Sequence, residues 1–391
     1  MTDARLRILF AAPVWWPSHA FGGPVTAARE LVRGLVARGH DVEVVTSSIL
    51  GLHERPVARS RREIVDGADV RYLATPLRYR WMGITPTLPA TLARAPRPDV
   101  VHVFGFRDPV TTATAAWCRI RGIPYVFEPL GMFTPRVRKL RLKRVLDPTL
   151  YRGVATAAAA VVVASERERD AVVAAGIAAS RVRVRGNGFP SPPPSTAADG
   201  TARGRLGVPA GAPLVLYVGR VAAGKGLEHL AAAAEELPDA HVVVVGPDDR
   251  HGTAAVLGRS PRVHVLPPTE EPPFDLYRAA DVFVLPSEGE SFGLVAAEAA
   301  AVGTPVVVTD RCGVAGFFEE GEALVVQATR ASVVDAVRRV LTDQDLAARL
   351  REGGTAAARR MSWDHVVEVQ EQIYFEAAAR TAATNASTLA S

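Results

Sequence analysis

Short runs of valine and isoleucine alternate with longer helical patterns along most of this chain, and the alternation starts, stops and starts again. Apolar runs of this kind suit strands buried on both faces, as in parallel sheets covered by helices. Strands are expected near Ile8–Ala12, Val42–Thr46, Val100–Val103, Tyr125–Phe127, Val161–Val163 and Val182–Val184. A second series is expected near Val215–Val218, Val242–Val245, Val263–Leu266, Val282–Leu285, Pro305–Val308 and Leu324–Val326. Between them runs Gly186-Asn187-Gly188-Phe189-Pro190, then Ser191-Pro192-Pro193-Pro194-Ser195 and a small polar stretch to Gly204. Such a Pro-rich, charge-poor segment joins neither helix nor sheet and reads as a linker. The expected organisation is two Rossmann-like, doubly wound α/β domains over residues 1–190 and 205–362, joined by a linker at 191–204. A C-terminal helix and tail, 363–391, begin at Trp363-Asp364.

The length of 391 residues fits two cores better than one. With 48% hydrophobic and 22% charged residues the chain is neither disordered nor fibrous. No apolar run reaches the roughly 18 residues that span a bilayer, and Met1–Arg7 leads straight into the first strand, so a cytoplasmic location is expected. Cys118 and Cys312 match no metal or redox spacing and are expected as buried free thiols. Among 46 basic residues only Lys139, Lys143 and Lys225 are lysine. A net charge of +5 with this arginine bias gives no reason to expect a nucleic-acid partner.

In open α/β sheets ligands bind beyond the carboxyl ends of the strands, so the loops there carry the chemistry. One such loop and its helix read Pro286-Ser287-Glu288-Gly289-Glu290-Ser291-Phe292-Gly293-Leu294-Val295-Ala296-Ala297-Glu298-Ala299. From Ser291 to Val302 the only charge is Glu298, on a stretch apolar or small on every face. A buried carboxylate needs hydrogen-bond donors, which two ribose hydroxyls supply, while the free N–H groups of Ser291–Leu294 form an anion site. The alternative is that Glu298 pairs with a buried arginine and Glu290 caps the helix. A second loop, Val218-Gly219-Arg220-Val221-Ala222-Ala223-Gly224-Lys225-Gly226, sets two cations among glycines, which suits a diphosphate. A plain Gly-rich turn is the other reading. The P-loop pattern does not fit, because Lys225 is followed by glycine.

The segment Pro286–Pro305 resembles the glutamate-x7-glutamate region of glycosyltransferase family 4, and Gly219-Arg220 with Lys225-Gly226 resembles its diphosphate clamp. Gly22-Gly23, Arg38-Gly39-His40-Asp41-Val42 and Asn187-Gly188 extend the resemblance over most of the chain. It implies the GT-B fold, two Rossmann-like domains facing across a cleft, and transfer from a nucleotide diphosphate sugar without an essential metal or cofactor, mostly with retention. It further implies that Glu290 holds donor-sugar hydroxyls, Glu298 the ribose, and Arg220 and Lys225 the diphosphate. Glu290, Arg220 and Lys225 are thus the expected catalytic set. Ser291, Phe292, Gly293 and Leu294 would add backbone contacts, Gly246 would line the donor pocket, and Gly22 and Gly23 would admit the donor from the first domain. Asp343-Gln344-Asp345 lies in a helical stretch and is expected at the solvated surface, not at a metal.

On the acceptor side Trp15 and Trp16 could stack on a ring or anchor their loop, and His102 ends a strand, as an acceptor contact or, more in keeping with a buried strand end, as a structural histidine. Many relatives carry histidine before Gly131. This chain has Leu130 there, with Glu128 as the nearest polar substitute. The expected acceptor is a glycan, a lipid-linked sugar or a small molecule. A sugar-nucleotide epimerase and an inactive partner protein are the rival functions. The run Arg136, Arg138, Lys139, Arg141, Lys143 and Arg144, at helical spacing with Val137, Leu140 and Val145, would suit an anionic membrane or an acceptor phosphate, or form a solvated surface helix.

Overall fold

The computed structural model describes residues 5–18, 23–51, 57, 59–79, 82–133, 152–195, 202–209, 211–248, 260–269 and 271–389. The chain forms two compact units, Met1–Arg185 with Val366–Ser391, and Gly186–His365. The basic run of 136–144 and Gly22 lie outside the described residues.

The first unit is built on an eight-stranded sheet in the order β10-β9-β8-β7-β1-β2-β4-β3. The strands are β1 (Arg7–Ala11), β2 (Asp41–Ser47), β3 (Arg61–Val65), β4 (Ala68–Leu73), β7 (Val100–Phe104), β8 (Tyr125–Glu128), β9 (Ala160–Val163) and β10 (Val182–Val184). All pairings are parallel except β3 with β4. β7 and β9 are buried along their whole length, as strands covered on both faces must be. Helix Pro109–Arg121 shows why the crossovers stop where they do. Asp108 caps it by accepting from Thr111 N at 3.0 Å, Pro109 opens its first turn, and Gly122 ends it at φ 59°. A separate hairpin pairs β5 (Leu77–Tyr79) with β6 (Met82–Ile84).

The second unit carries six parallel strands, β11 (Leu214–Val218), β12 (His241–Val245), β13 (Val263–Leu266), β14 (Val282–Leu285), β15 (Val306–Thr309) and β16 (Leu324–Val326). Their order, β13-β12-β11-β14-β15-β16, reverses direction between β11 and β14. That is the doubly wound order whose ligand crevice opens beyond the strand ends at the reversal.

Two boundaries differ from the sequence expectation. The break falls between Arg185 and Gly186 instead of after residue 190, because Phe189 N donates to Met361 O at 3.3 Å and Gly188 is packed flat against Trp363. A Cβ at Gly188 would meet the Trp363 ring at 2.4 Å. The last helix, Trp363–Leu389, is not a separate appendage. After its first turn it belongs to the first unit, where Val367 is pressed against Gly34 and Glu371 binds Arg38 at 2.7 Å and His40 at 2.8 Å.

The same helix meets a buried polar network at the carboxyl end of the first sheet. Arg185 grips Glu128 with two hydrogen bonds, at 2.8 and 3.0 Å, and donates to Gln370 at 2.7 Å. His102 stands 3.2 Å from Glu128 and shares a 2.6 Å hydrogen bond with the Tyr374 hydroxyl. Burial pushes the Glu128 carboxyl up, but Arg185 and His102 outweigh it and hold Glu128 below the usual carboxylate range. Burial lowers the His102 pKa further than Glu128 raises it. His102 and Glu128, expected at the acceptor side, are therefore enclosed members of the network that docks the last helix. Of the two readings of Trp15, the structure favours the loop anchor. Its ring is 1% exposed and packs edge-on against Phe10, leaving no face for a ligand.

Candidate functional site

The reversal point of the second sheet brings together the two loops singled out in sequence. The loop after β11 runs from Gly219 to Gly226 and enters helix Leu227–Glu236, and the loop after β14 runs from Pro286 to Gly293 and enters helix Leu294–Ala301. They are joined through backbone, since Glu288 N donates to Gly224 O at 3.0 Å. Glycine permits the fit at two points. A Cβ at Gly226 would lie 2.0 Å from Pro286 O, and one at Gly246, in the loop after β12, 2.0 Å from Gly219 O. Both glycines have positive φ, 67° and 149°. Gly246→Ala is therefore expected to destabilise the protein by about 2 kcal/mol or more. Chemical denaturation checks this, and an unchanged midpoint would refute the close crossing.

Within this frame Lys225 Nζ forms an ion pair with Glu290. Both side chains are partly exposed, at 17% and 26%, so the pair is open to an incoming ligand. Glu290 does not cap the helix. Its N–H donates to Arg311 O and its carbonyl accepts from Gly313 N, each at 3.2 Å, which ties the loop to the segment after β15. Arg220 is exposed, and its carbonyl is held by the buried Tyr217 hydroxyl at 3.0 Å. The helix begins at Leu294, with Gly293 at φ 101° before it, so Ser291 and Phe292 belong to the entering loop. Phe292 is buried against Phe317, so its backbone rather than its ring is available to a ligand.

Glu298 is 7% exposed, and its partner is a tyrosine, not the arginine weighed as an alternative. The Tyr277 hydroxyl donates to Glu298 Oε2 at 2.8 Å. Burial raises the Glu298 pKa above the usual carboxylate value, against the lowering effect of this hydrogen bond. Tyr277 and Tyr217 were not foreseen, because no local pattern marks a tyrosine whose hydroxyl reaches a distant loop.

Other candidates fall elsewhere. Gly23 begins helix Gly23–Ala37 with open space where a Cβ would sit. Trp16 is half-buried, and the Arg29 guanidinium lies 3.9 Å from its ring centroid. Leu130 is half-exposed and takes a left-handed backbone, φ 55°. Asp343 caps helix Gln344–Arg360 by accepting from Leu346 N at 2.9 Å. Among the described residues no three His, Cys, Asp or Glu side chains are gathered as a metal site, and no helix is long and apolar enough to cross a membrane. Cys118 and Cys312 are buried free thiols.

Residues 22–188 match the model of the glycosyl transferase 4-like domain. Residues 199–357 match that of glycosyl transferases group 1. D-inositol 3-phosphate glycosyltransferase of Xylanimonas cellulosilytica is 39% identical over 211 residues, 49% of each chain. Its counterpart in Acidothermus cellulolyticus is 39% identical over 207 residues, 47% of this chain and 46% of the relative. The chain thus spans about half the length of the curated relatives it matches. Among solved structures, Anabaena HepE in complex with UDP has a TM-score of 0.73 at 20% identity, covering 97% of this chain and 100% of that one. Sucrose-phosphate synthase from Thermosynechococcus elongatus has a TM-score of 0.70 at 23% identity, covering 95% and 99%. These two likenesses show the fold, and with the two family models they place the chain among the glycosyltransferases of the family 4 type, on the GT-B fold.

Proposed function

We propose that this protein transfers a sugar from a nucleotide diphosphate sugar to a glycan, a lipid-linked sugar or a small-molecule acceptor, with retention and without a metal. The observation that carries the reading is the Lys225–Glu290 ion pair at the reversal point of one sheet, with Arg220 on the same loop as Lys225 and Glu298 on the helix that follows Glu290's loop. The nucleotide ligand of HepE supports the donor class. Arg220, Lys225 and the amides of Ser291–Leu294 would neutralise the diphosphate as it leaves, Glu290 would orient Lys225 and accept from sugar hydroxyls, and Glu298 would accept from the ribose. The work would be done at the cytoplasmic side of the membrane, with the basic run of 136–144 as a peripheral contact. Incubation with a panel of nucleotide sugars, scoring transfer, hydrolysis and epimerisation separately, tests this. Acceptor-dependent release of nucleoside diphosphate is expected. Epimerisation alone, or no binding of any nucleotide, would overturn it.

Glu298 makes the donor reading specific. Glu298→Gln keeps an acceptor for Tyr277 but removes the charge, so nucleotide affinity should fall about tenfold or more while the fold is kept. Because burial raises the folded-state pKa of this carboxyl, the neutral form favours folding below the unfolded value, and that contribution is lost as pH rises through the folded value. Charge removal should therefore leave stability at neutral pH unchanged or higher. Parent affinity should weaken as pH falls through the raised value, and the variant should lack this step. Calorimetric titration across pH measures both. A variant that unfolds with no separate loss of affinity would make Glu298 a structural residue only.

A further inference from the structure

Among the described residues three that are not glycine hold a left-handed backbone, Asp66 at φ 50°, Arg107 at φ 62° and Leu130 at φ 55°. Asp66 is explained by its turn, since Asp66-Gly67 joins β3 to β4 and Asp-Gly is a pair that such hairpins prefer. Arg107 and Leu130 are long side chains, for which this conformation is strained. They lie on the loops that follow the neighbouring strands β7 and β8, at the carboxyl end of the first sheet. Leu130 and Gly131, at φ 71°, are the central pair of a four-residue turn closed by Met132 N, which donates to Pro129 O at 3.0 Å. Two left-handed central residues belong to the type I′ arrangement, whose first position suits Asn, Asp or Gly and not leucine.

Two side chains from other segments hold this turn. Glu168, in the first turn of helix Glu166–Ala174, accepts from Gly131 N at 2.6 Å with one carboxylate oxygen and from Ala164 N at 2.9 Å with the other. It thereby ties the loop after β8 to the end of β9. Arg107 donates to the carbonyls of Met132 and, at 3.3 Å, Phe133, while its guanidinium lies 4.4 Å from the Phe106 ring centroid. Phe106 stacks on Phe133 with centroids 5.5 Å apart, and Met132 and Phe133 pack against the core of the unit. Leu130 stays half-exposed at the tip of the turn, so core packing alone does not account for a leucine there. Strained residues that their surroundings over-determine gather at ligand-contact loops. In open α/β sheets ligands lie beyond the carboxyl ends of the strands. With the donor assigned to the loops of the second unit, the strand ends of the first are left for the acceptor, and a leucine there can meet only C–H surface.

We propose that Leu130 is a specificity-determining contact for an apolar surface of the acceptor, such as the C–H face of a sugar ring, and that Glu168 and Arg107 are positioning residues that hold it out on the strained turn. The proposal rests on the sugar-transfer reading above and adds to it the residue that meets the second substrate. The test uses the full chain with the nucleotide sugar and acceptor selected by the panel, and measures melting temperature, donor affinity by calorimetry, and KM and kcat for the acceptor. Leu130→Asn removes the strain and the apolar surface together. Its melting temperature should rise by about 2 °C, because asparagine tolerates this backbone. Its acceptor KM should rise about tenfold with donor affinity at the parent value. Leu130→Met keeps an apolar side chain and should keep the parent KM. Glu168→Gln turns an amide donor toward one of the two N–H groups, so the Gly131 amide should exchange faster and the acceptor KM should rise, again with donor affinity unchanged. A Leu130→Asn variant that is more stable with an unaltered acceptor KM overturns the proposal. One that is less stable overturns it as well, by making the side chain part of the core. Joint loss of donor and acceptor affinity marks a general distortion and has the same consequence. If the parent transfers from no nucleotide sugar, the sugar-transfer reading itself falls and the acceptor contact falls with it.

Discussion

Replacing Lys225 by methionine is expected to lower kcat/KM by about 10²-fold or more, and Arg220→Gln by a similar factor, as for loss of one transition-state donor. On the proposed reaction, charge would accumulate on the diphosphate as the glycosidic bond breaks, and Lys225 is the cation paired with Glu290 beside the Gly-rich loop. The Lys225 variant leaves Glu290 without its partner, yet Glu290 is 26% exposed and stays hydrated, so folding should survive. Steady-state kinetics on folded variants, with melting temperature as control, measures the effect. Unchanged kcat/KM would remove the clamp from the reaction. Chelators should leave the parent rate unaltered, and a strict need for a divalent cation would replace the clamp with metal chemistry.

The second large effect concerns stability. Arg185→Met is expected to cost about 3–5 kcal/mol, because it strands the Glu128 carboxylate among buried groups. Glu128 and Arg185 are 3% and 4% exposed, and the same guanidinium reaches Gln370 on the last helix, so the loss should loosen that helix with the sheet end. Urea unfolding gives the magnitude, and hydrogen exchange shows whether residues near Gln370 and Tyr374 lose protection together. The double variant Glu128→Leu, Arg185→Met should recover most of the loss, since two apolar groups leave no buried charge unpaired. The pH dependence has a definite sign. A carboxyl held below its usual pKa contributes stability above its unfolded value and loses it as pH falls through the lower folded one, so the parent should weaken in acid and the double variant less so. A single variant as stable as the parent would show that the network does not dock the helix.

Much of this protein was legible in its sequence because the signals were local. All the expected strands appear; interior ones such as β7, β9 and β14 are buried along their length and announce themselves as continuous apolar runs, while the edge strands β10, β13 and β16 are only partly buried. The loops of the candidate site were legible for the same reason, with glycines, cations and carboxylates lying within a few residues of one another at strand ends. Strands β3 to β6 were not foreseen. β3 is an exposed antiparallel edge carrying Arg61, Arg62 and Glu63, β4 is interrupted by the charged Asp69 and Arg71, and the hairpin reverses the usual polarity. Their strand character comes from pairing, not from composition.

Partners were decided only by the tertiary structure. Tyr277 meets Glu298 across 21 residues, Lys225 meets Glu290 across 65, and Arg185 meets Glu128 across 57 and Gln370 across 185. A sequence shows that a buried carboxylate needs a donor but not which donor arrives, because burial and hydrogen bonding are set by sheet order. It is that order, reversing between β11 and β14, that brings the two loops of the candidate site together, and the packing of Trp363–Leu389 that makes His102 and Glu128 the enclosed seat of a helix.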